Sequence, residues 1–478
     1  MLTLADIIEA LMGLRPDWAR LVITQAVVDP RQVIPGSLFI AMPGQFIDEP
    51  DVVSQAFERG ASVALVQEEV PSRQMVLDLR KDKTIPQKIA GETQLCVRVD
   101  DTLAATRQIA HFWRRSLGAS LPDLRVVGVA GGVVKSTTKE LVAEVLNQRY
   151  RTLRNAGDLA NEIELPLSLL SLGEGHQRAV LEMGSQTPGE MAYLCDLALP
   201  HLGVITDISL GLAGHAGLQA EMVQAETELV QALPPAPQGV AVLNYDDPLV
   251  RQLASMTRAR VFFYGLNPQA DLWADNVEGL GLDGIRFRLH YRHEVLHLRV
   301  PLIGRQSVHA ALCAAALGLA EGLTWQEIVS GLRSQHAQLR LVVVRTEVGA
   351  LILDDTYNAS PESNLAALNL LGEIEGRRVA VLGDMLELGQ GERRSHEMVG
   401  LRVAELVDEL IAVGERAHWI AASARRAGMP PQAITELADA QQAIAYLQGH
   451  LKEKDVVLVK GSPGMHMDRI VAALETSR

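Results

Sequence analysis

Lys135, Ser136 and Thr137 follow a glycine pair, Gly131 and Gly132, within RVVGVAGGVVKSTTKELVAEVL, residues 125–146. These residue types in this order suit a phosphate. Glycines let consecutive backbone N–H groups turn inward around phosphate oxygens, and the following helix adds its positive end. A lysine supplies a point charge to the outer phosphates, and the next hydroxyl suits Mg²⁺. Val134 breaks the pattern, because such loops place glycine directly before the lysine. The expectation there is a left-handed backbone, which a β-branched residue adopts at about 1–2 kcal/mol. Its side chain would also crowd the phosphate. The rival reading is a strand, loop and helix without a ligand.

Further polar residues stand after apolar runs, where strands should end. Glu182 follows RAVL. Asn244, Asp246 and Asp247 follow GVAVL. Asp355, Asn358, Ser360 and Glu362 follow ALILD. Lys460 and Ser462 follow DVVLV, and His396 lies in a helical stretch. Each has a plainer alternative. Glu182 could be a solvated strand end, Asn and Asp favour turns, Ser360 could cap a helix, His396 could pack, and Lys460 and Ser462 could be surface residues.

The elements that must carry these residues alternate strand with helix almost throughout, which predicts α/β layers with largely parallel sheets. In such sheets ligands lie outside the carboxyl ends of the strands. The predicted domains are 1–115, 116–335 and 336–478, with the Gly/Pro-marked SLGASLPDL as the first joint. Residues 271–302 alternate apolar with polar and read as antiparallel strands. The helix after Lys135 is predicted to be amphipathic, burying Leu141, Val142, Val145 and Leu146.

The chain has 478 residues, too many for one core, and 48% of them are apolar. A net charge of −14 gives no general attraction for nucleic acid or an anionic membrane. The three cysteines are far apart, with neither zinc spacing nor a disulfide framework, so a reducing cytoplasm is expected. The start, MLTLADIIEALMGL, reads as an amphipathic helix rather than a signal peptide. No apolar run reaches the length of a membrane span.

Over its whole length the chain resembles the Mur ligase family, in the type that joins D-Ala-D-Ala to a UDP-N-acetylmuramoyl-tripeptide (MurF). GVAGGVVKSTTK, LEMGSQTPGE, VLNYDDP, LDDTYNASPES, VLGDMLELG and VLVKGS carry the likeness, with DDTYNASPES the most discriminating. The resemblance implies a three-domain architecture. A first domain would hold the UDP-sugar, a central P-loop-type domain ATP, and a Rossmann-like third domain the incoming dipeptide. It implies ATP and Mg²⁺ as cofactors, UDP-MurNAc-peptide and D-Ala-D-Ala as partners, a monomer, and an acyl-phosphate intermediate in peptidoglycan precursor synthesis. Lys135 and Glu182 would be catalytic. Gly131, Gly132, Ser136, Thr137, Asn244 and Asp246 would hold the nucleotide, and Ser136, Glu182 and Glu226 the metal. Arg31, Asn161, Asp355, Asn358, Ser360, Lys460 and Ser462 would contact substrates.

The departures from the family pattern gather near the chemistry. Ala130, Gly132 and Val134 stand for Thr, Ser and Gly. Asp158 and Ala160 replace asparagines, and Glu164 a glycine. Leu212 and Gly214 fall where a His and a Glu belong, and His215 would need a shifted alignment. Glu226 takes the place of a carbamylated lysine. Gln306, Ala310, Pro30, Glu49, Pro50 and Pro463 are further departures. Extra carboxylates beside phosphates repel by about 1–4 kcal/mol each, and each 1.4 kcal/mol lost from a transition state slows a reaction about tenfold. The expectation is a ligase with impaired catalysis and a weakened hold on ATP and Mg²⁺. The alternative is a non-catalytic binding or scaffold protein of the same fold, or an inactivated variant. A folylpolyglutamate-synthetase-like activity fits the carboxyl-terminal motifs poorly.

Overall fold

The computed structural model describes residues 1–42, 52–68, 75–80, 94–132, 134–155, 161–185, 187–208, 216–334, 342–356, 359–386, 388 and 391–475. The expectations for Glu49, Pro50, Asp158, Ala160, Leu212, Gly214, His215 and Asn358, and for the Asn161 and Glu362 side chains, lie outside the described residues. Three sheets follow one another along the chain.

The first sheet holds β1 (Ala26–Val27), β2 (Leu38–Ile40), β3 (Val63–Val66), β4 (Met75–Asp78) and β5 (Leu95–Arg98), in the order β1-β2-β3-β5-β4. Every neighbouring pair is parallel. The amino-terminal helix, Leu4–Met12, begins with a capping box between Thr3 and Asp6. Helix Thr102–Ser120 runs on through residue 115. Near its end Trp113 Nε1 donates to Leu172 O at 2.9 Å and Arg114 Nε to Ala198 O at 2.8 Å.

The central sheet holds β6 (Arg125–Ala130), β7 (Thr152–Arg154), β8 (Arg178–Glu182), β9 (Leu202–Ile205), β10 (Val240–Asn244), β11 (Arg260–Gly265), β12 (Leu272–Gly279), β13 (Ile285–Tyr291) and β14 (Glu294–Val300). Its order is β14-β13-β12-β11-β10-β9-β6-β8-β7. From β7 to β12 all pairs are parallel, and β12, β13 and β14 extend the edge antiparallel. The inner parallel strands β6, β9 and β10 are buried on both faces, so they read as unbroken apolar runs, whereas β13 alternates.

Helix Lys135–Asn147 departs from the amphipathic expectation. Ser136 and every residue from Thr138 to Leu146 are buried, because helices Ser307–Ala320 and Trp325–Leu332 cover the face turned away from the sheet. Its buried charges are paired: Glu140 with Arg154 at 3.0 Å and Glu144 with Arg154 at 2.6 Å.

The third sheet holds β15 (Val342–Arg345), β16 (Leu351–Asp355), β17 (Arg377–Gly383), β18 (Glu409–Val413), β19 (Ile434–Leu437) and β20 (Asp455–Lys460). The order is β15-β16-β20-β17-β18-β19, parallel except for β15. Helices cover both faces, with separate cores on each side. Among the described residues no helix is long and apolar enough to cross a membrane. All three cysteines are buried and unbridged.

Candidate active site

The chain reverses direction across the central sheet next to β6, with β8 on one side and β9 on the other. The crevice outside these strand ends is where an open α/β sheet binds ligands. The loop after β6 enters it. Gly131 has φ +120°, and a Cβ there would lie 2.2 Å from Thr206 Oγ1, so only glycine fits between β6 and the end of β9. Gly132 N donates to Asp207 O at 3.1 Å, which ties the loop to the same strand end.

Val134 corrects the strain expected from its type. Its φ is −96° and ψ 8° at the position before the helix. That backbone lies outside the left-handed region, so it does not call for glycine. The loop places its left-handed turn at Gly131, so Val134 carries no left-handed penalty.

Beyond the loop, Ser136 Oγ donates to Glu182 Oε1 at 2.7 Å. Lys135 Nζ stands 3.9 Å from the same oxygen and keeps about one fifth of its side chain exposed. Glu182 Oε2 is buried without a hydrogen-bond partner among the described residues. Thr137 is half-buried on the first turn. Residues that sequence reasoning passed over hold this group. The Asn155 side chain clasps the Glu182 backbone, accepting from its N–H at 2.8 Å and donating to its carbonyl at 3.3 Å. Lys139 Nζ donates to Asn155 O at 2.7 Å and lies 4.0 Å from Glu182 Oε2. The sequence held two signals for Lys139: it ends the motif GVAGGVVKSTTK, and it stands four residues after Lys135 on one helix face. Nothing in the sequence pointed to Asn155.

Glu226, from helix Ala216–Ala232, is buried, and its Oε2 has no hydrogen-bond partner among the described residues. Burial pushes its carboxyl up to about 7. Lys135 pulls it down, Asp207 pushes it further up, and the Gly131 N–H opposes the rise. Among the described residues no three His, Cys, Asp or Glu side chains gather to hold a metal alone. The oxygens of Ser136 and Glu182 nevertheless suit Mg²⁺, a hard cation that takes one or two protein oxygens beside phosphates and waters.

Asn244 and Asp246 sit at the end of β10, two strands from β6 and so about 10 Å along the sheet. Asn244 Nδ2 donates to Thr206 O at 2.8 Å, and its Oδ1 accepts from Asp246 N at 3.0 Å. Asp246 accepts from Leu266 N at 2.7 Å and Asn267 N at 3.0 Å, and meets His309 Nε2 at 2.8 Å. Burial alone would raise the Asp246 carboxyl, but His309 and the backbone donors together hold it below the usual carboxylate range. Asp247 caps the next helix through Leu249 N.

A second group forms at the ends of β16 and β20. Lys460 Nζ meets Asp355 Oδ2 at 2.7 Å, with the lysine almost fully buried. Ser462 Oγ accepts from Leu386 N at 2.9 Å, and its N–H donates to Asp384 O at 3.1 Å. His396 accepts from Met385 N at 3.0 Å and fixes the same loop. Ser360 caps helix Pro361–Glu373 in a capping box with Ser363. Arg31 joins neither group. It is exposed in the first sheet's region and paired with Asp29 at 2.8 Å. Asn161 opens helix Asn161–Leu170. Glu164 is buried in that helix, Gln306 is exposed and Ala310 buried.

Comparison with known proteins gives concordant results. Residues 129–318 match the family described as Mur ligase middle domain, and residues 339–463 match Mur ligase, glutamate ligase domain. The UDP-N-acetylmuramoyl-tripeptide–D-alanyl-D-alanine ligase of Escherichia coli (strain K12) is 32% identical, over 99% of this chain and 98% of its own. The Synechocystis ligase of that name is also 32% identical, over 95% of this chain and 92% of its own. The crystal structure of MurF from Acinetobacter baumannii superposes with a TM-score of 0.78 at 27% identity, covering 98% of each chain.

Proposed function

The chain belongs to the Mur ligase family, and on that premise we propose that it joins D-Ala-D-Ala to a UDP-MurNAc-tripeptide using ATP, with turnover lowered by its departures from the family pattern. One observation carries the reading: Ser136, Glu182 and Lys135 converge beside the loop after β6, at 2.7 and 3.9 Å. The loop N–H groups and Lys135 would bind phosphate oxygens. Ser136 and Glu182 would hold Mg²⁺, which supplies positive charge to offset charge developing on the transferred phosphoryl group. Asn244 and Asp246, two strands away, would shape the nucleoside end. Lys460, Asp355 and Ser462 would shape the dipeptide site, and Arg31 and Asn161 would contact the UDP-linked substrate. The proposed domains are those of the three sheets, and the proposed location is the cytoplasm.

The second reading, a binding protein of this fold without turnover, is favoured by Glu226, a buried carboxyl near Lys135 and Asp207 that is shorter than the carbamylated lysine it replaces. Phosphate release separates the two. With Mg-ATP, UDP-MurNAc-tripeptide and D-Ala-D-Ala, the ligase reading expects slow release that depends on the dipeptide. Release that ignores the dipeptide overturns both, and release that is absent at any enzyme concentration leaves the binding reading. Glu226→Lys with Leu212→His is then expected to restore turnover.

A further inference from the structure

Glu182 is held from three directions, and only one of them is the loop. Its Oε1 accepts from Ser136 Oγ at 2.7 Å and lies 3.9 Å from Lys135 Nζ. A nucleotide would draw Lys135 toward phosphate. Glu182 would then lose its nearest cation on that side, while its buried Oε2 has no hydrogen-bond partner among the described residues. Two other groups remain. Lys139 lies one helical turn beyond Lys135, is almost fully buried, and places Nζ 4.0 Å from Oε2. Its charge is shared with Glu140 at 2.8 Å, which Arg154 also neutralises at 3.0 Å. Asn155 follows directly on the end of β7, whose ladder with β8 reaches Arg154 opposite Val180. There its side-chain amide takes over from the backbone, bonding both the N–H and the carbonyl of Glu182. The Lys139–Asn155 O bond at 2.7 Å closes the ring.

We propose that Lys139 and Asn155 are positioning residues: they fix where the Glu182 carboxylate stands to receive a divalent cation while Lys135 serves the nucleotide. The role rests on the nucleotide and cation reading given above. Asn155 fixes where the Glu182 main chain lies. Lys139 supplies a counter-charge that stays when Lys135 leaves. Neither touches a reacting atom. Partners that orient a metal-binding carboxylate change metal affinity by about tenfold or more when removed.

The test is Mn²⁺ binding to the full-length protein, followed by electron paramagnetic resonance with and without ADP, alongside ADP binding in EDTA. Wild type is expected to bind Mn²⁺ and Glu182→Gln to lose it. Lys139→Met and Asn155→Ala are expected to weaken Mn²⁺ about tenfold while metal-free ADP binding stays within about twofold, and Lys139→Arg to keep most of the affinity. Thermal melting shows that each variant folds. If Lys139→Met does not fold, Asn155→Ala and Lys139→Arg decide. A wild-type Mn²⁺ signal that folded variants leave unchanged overturns the clasp alone, as does an equal loss of Mn²⁺ and metal-free ADP. A wild type that binds no Mn²⁺ under either condition overturns the cation reading, and the clasp with it.

Discussion

Glu226 changes its proton affinity on folding, and this gives a pH signature. Burial raises its carboxyl from the usual 4.5 to about 7. The folded chain therefore binds the proton more tightly than the unfolded chain. The associated stability is fully present below pH 4.5 and is lost as pH rises through about 7. The full span is on the order of 3 kcal/mol. Glu226→Gln removes the titration, so it is expected to gain stability over wild type at pH 8 and to match it near pH 4. Urea unfolding at the two pH values checks this; equal differences at both would overturn it. At Val134 the sign also follows from geometry. Its φ of −96° lies outside the left-handed region, so Val134→Gly relieves no left-handed strain and adds unfolded-state freedom. The variant is expected to lose about 0.5–1 kcal/mol of stability in the same measurement. The residue type was legible in the sequence, but the backbone angle was not. The left-handed turn could sit at any glycine of the loop, and the close approach of Thr206 selects Gly131.

Strand ends decide which of the polar residues meet. Asp355 and Lys460 are register partners in the parallel pair β16 and β20, although 105 residues separate them. Their side chains form an ion pair that leaves the lysine almost fully buried. Lys460→Met would remove the buried ammonium paired with a largely buried carboxylate and is expected to lower stability by about 3–5 kcal/mol. Adding Asp355→Leu is expected to recover most of the loss, so a double-mutant cycle by urea unfolding reads the coupling directly. A Lys460→Met variant as stable as wild type would overturn the pairing's role. Long apolar strands such as β6, β10, β17 and β20 were legible as continuous runs, because a strand covered on both faces has no polar side. The two-residue β1 and the four-residue edge strands β15 and β19 were not, since so few residues carry no period. The helix after Lys135 was legible as a helix. Its burial on nearly every side was not, because the ion pairs that allow Glu140 and Glu144 inside come from Arg154 on a neighbouring strand.

At the scale of the molecule, the large exposed apolar side chains lie dispersed along the sequence, at positions such as Leu14, Val76, Val295 and Leu401. Single exposed apolar residues are ordinary on a monomer. We propose a monomer, and light scattering is expected to give 51.9 kDa; twice that mass would overturn it. The turn residues Leu282 and Ile303 of the central region pack against the third sheet's core, and helix Thr102–Ser120 bonds to residues 172 and 198. By itself the sequence determined the α/β class, the phosphate loop and the polar residues standing after apolar runs, because periodicity and glycine, lysine and serine spacing are local properties. Only the tertiary structure decided that Asn155 and Lys139 clasp Glu182, that Asp246 meets His309, and that Arg31 stands apart, because those contacts depend on strand order and helix placement, which no local pattern encodes.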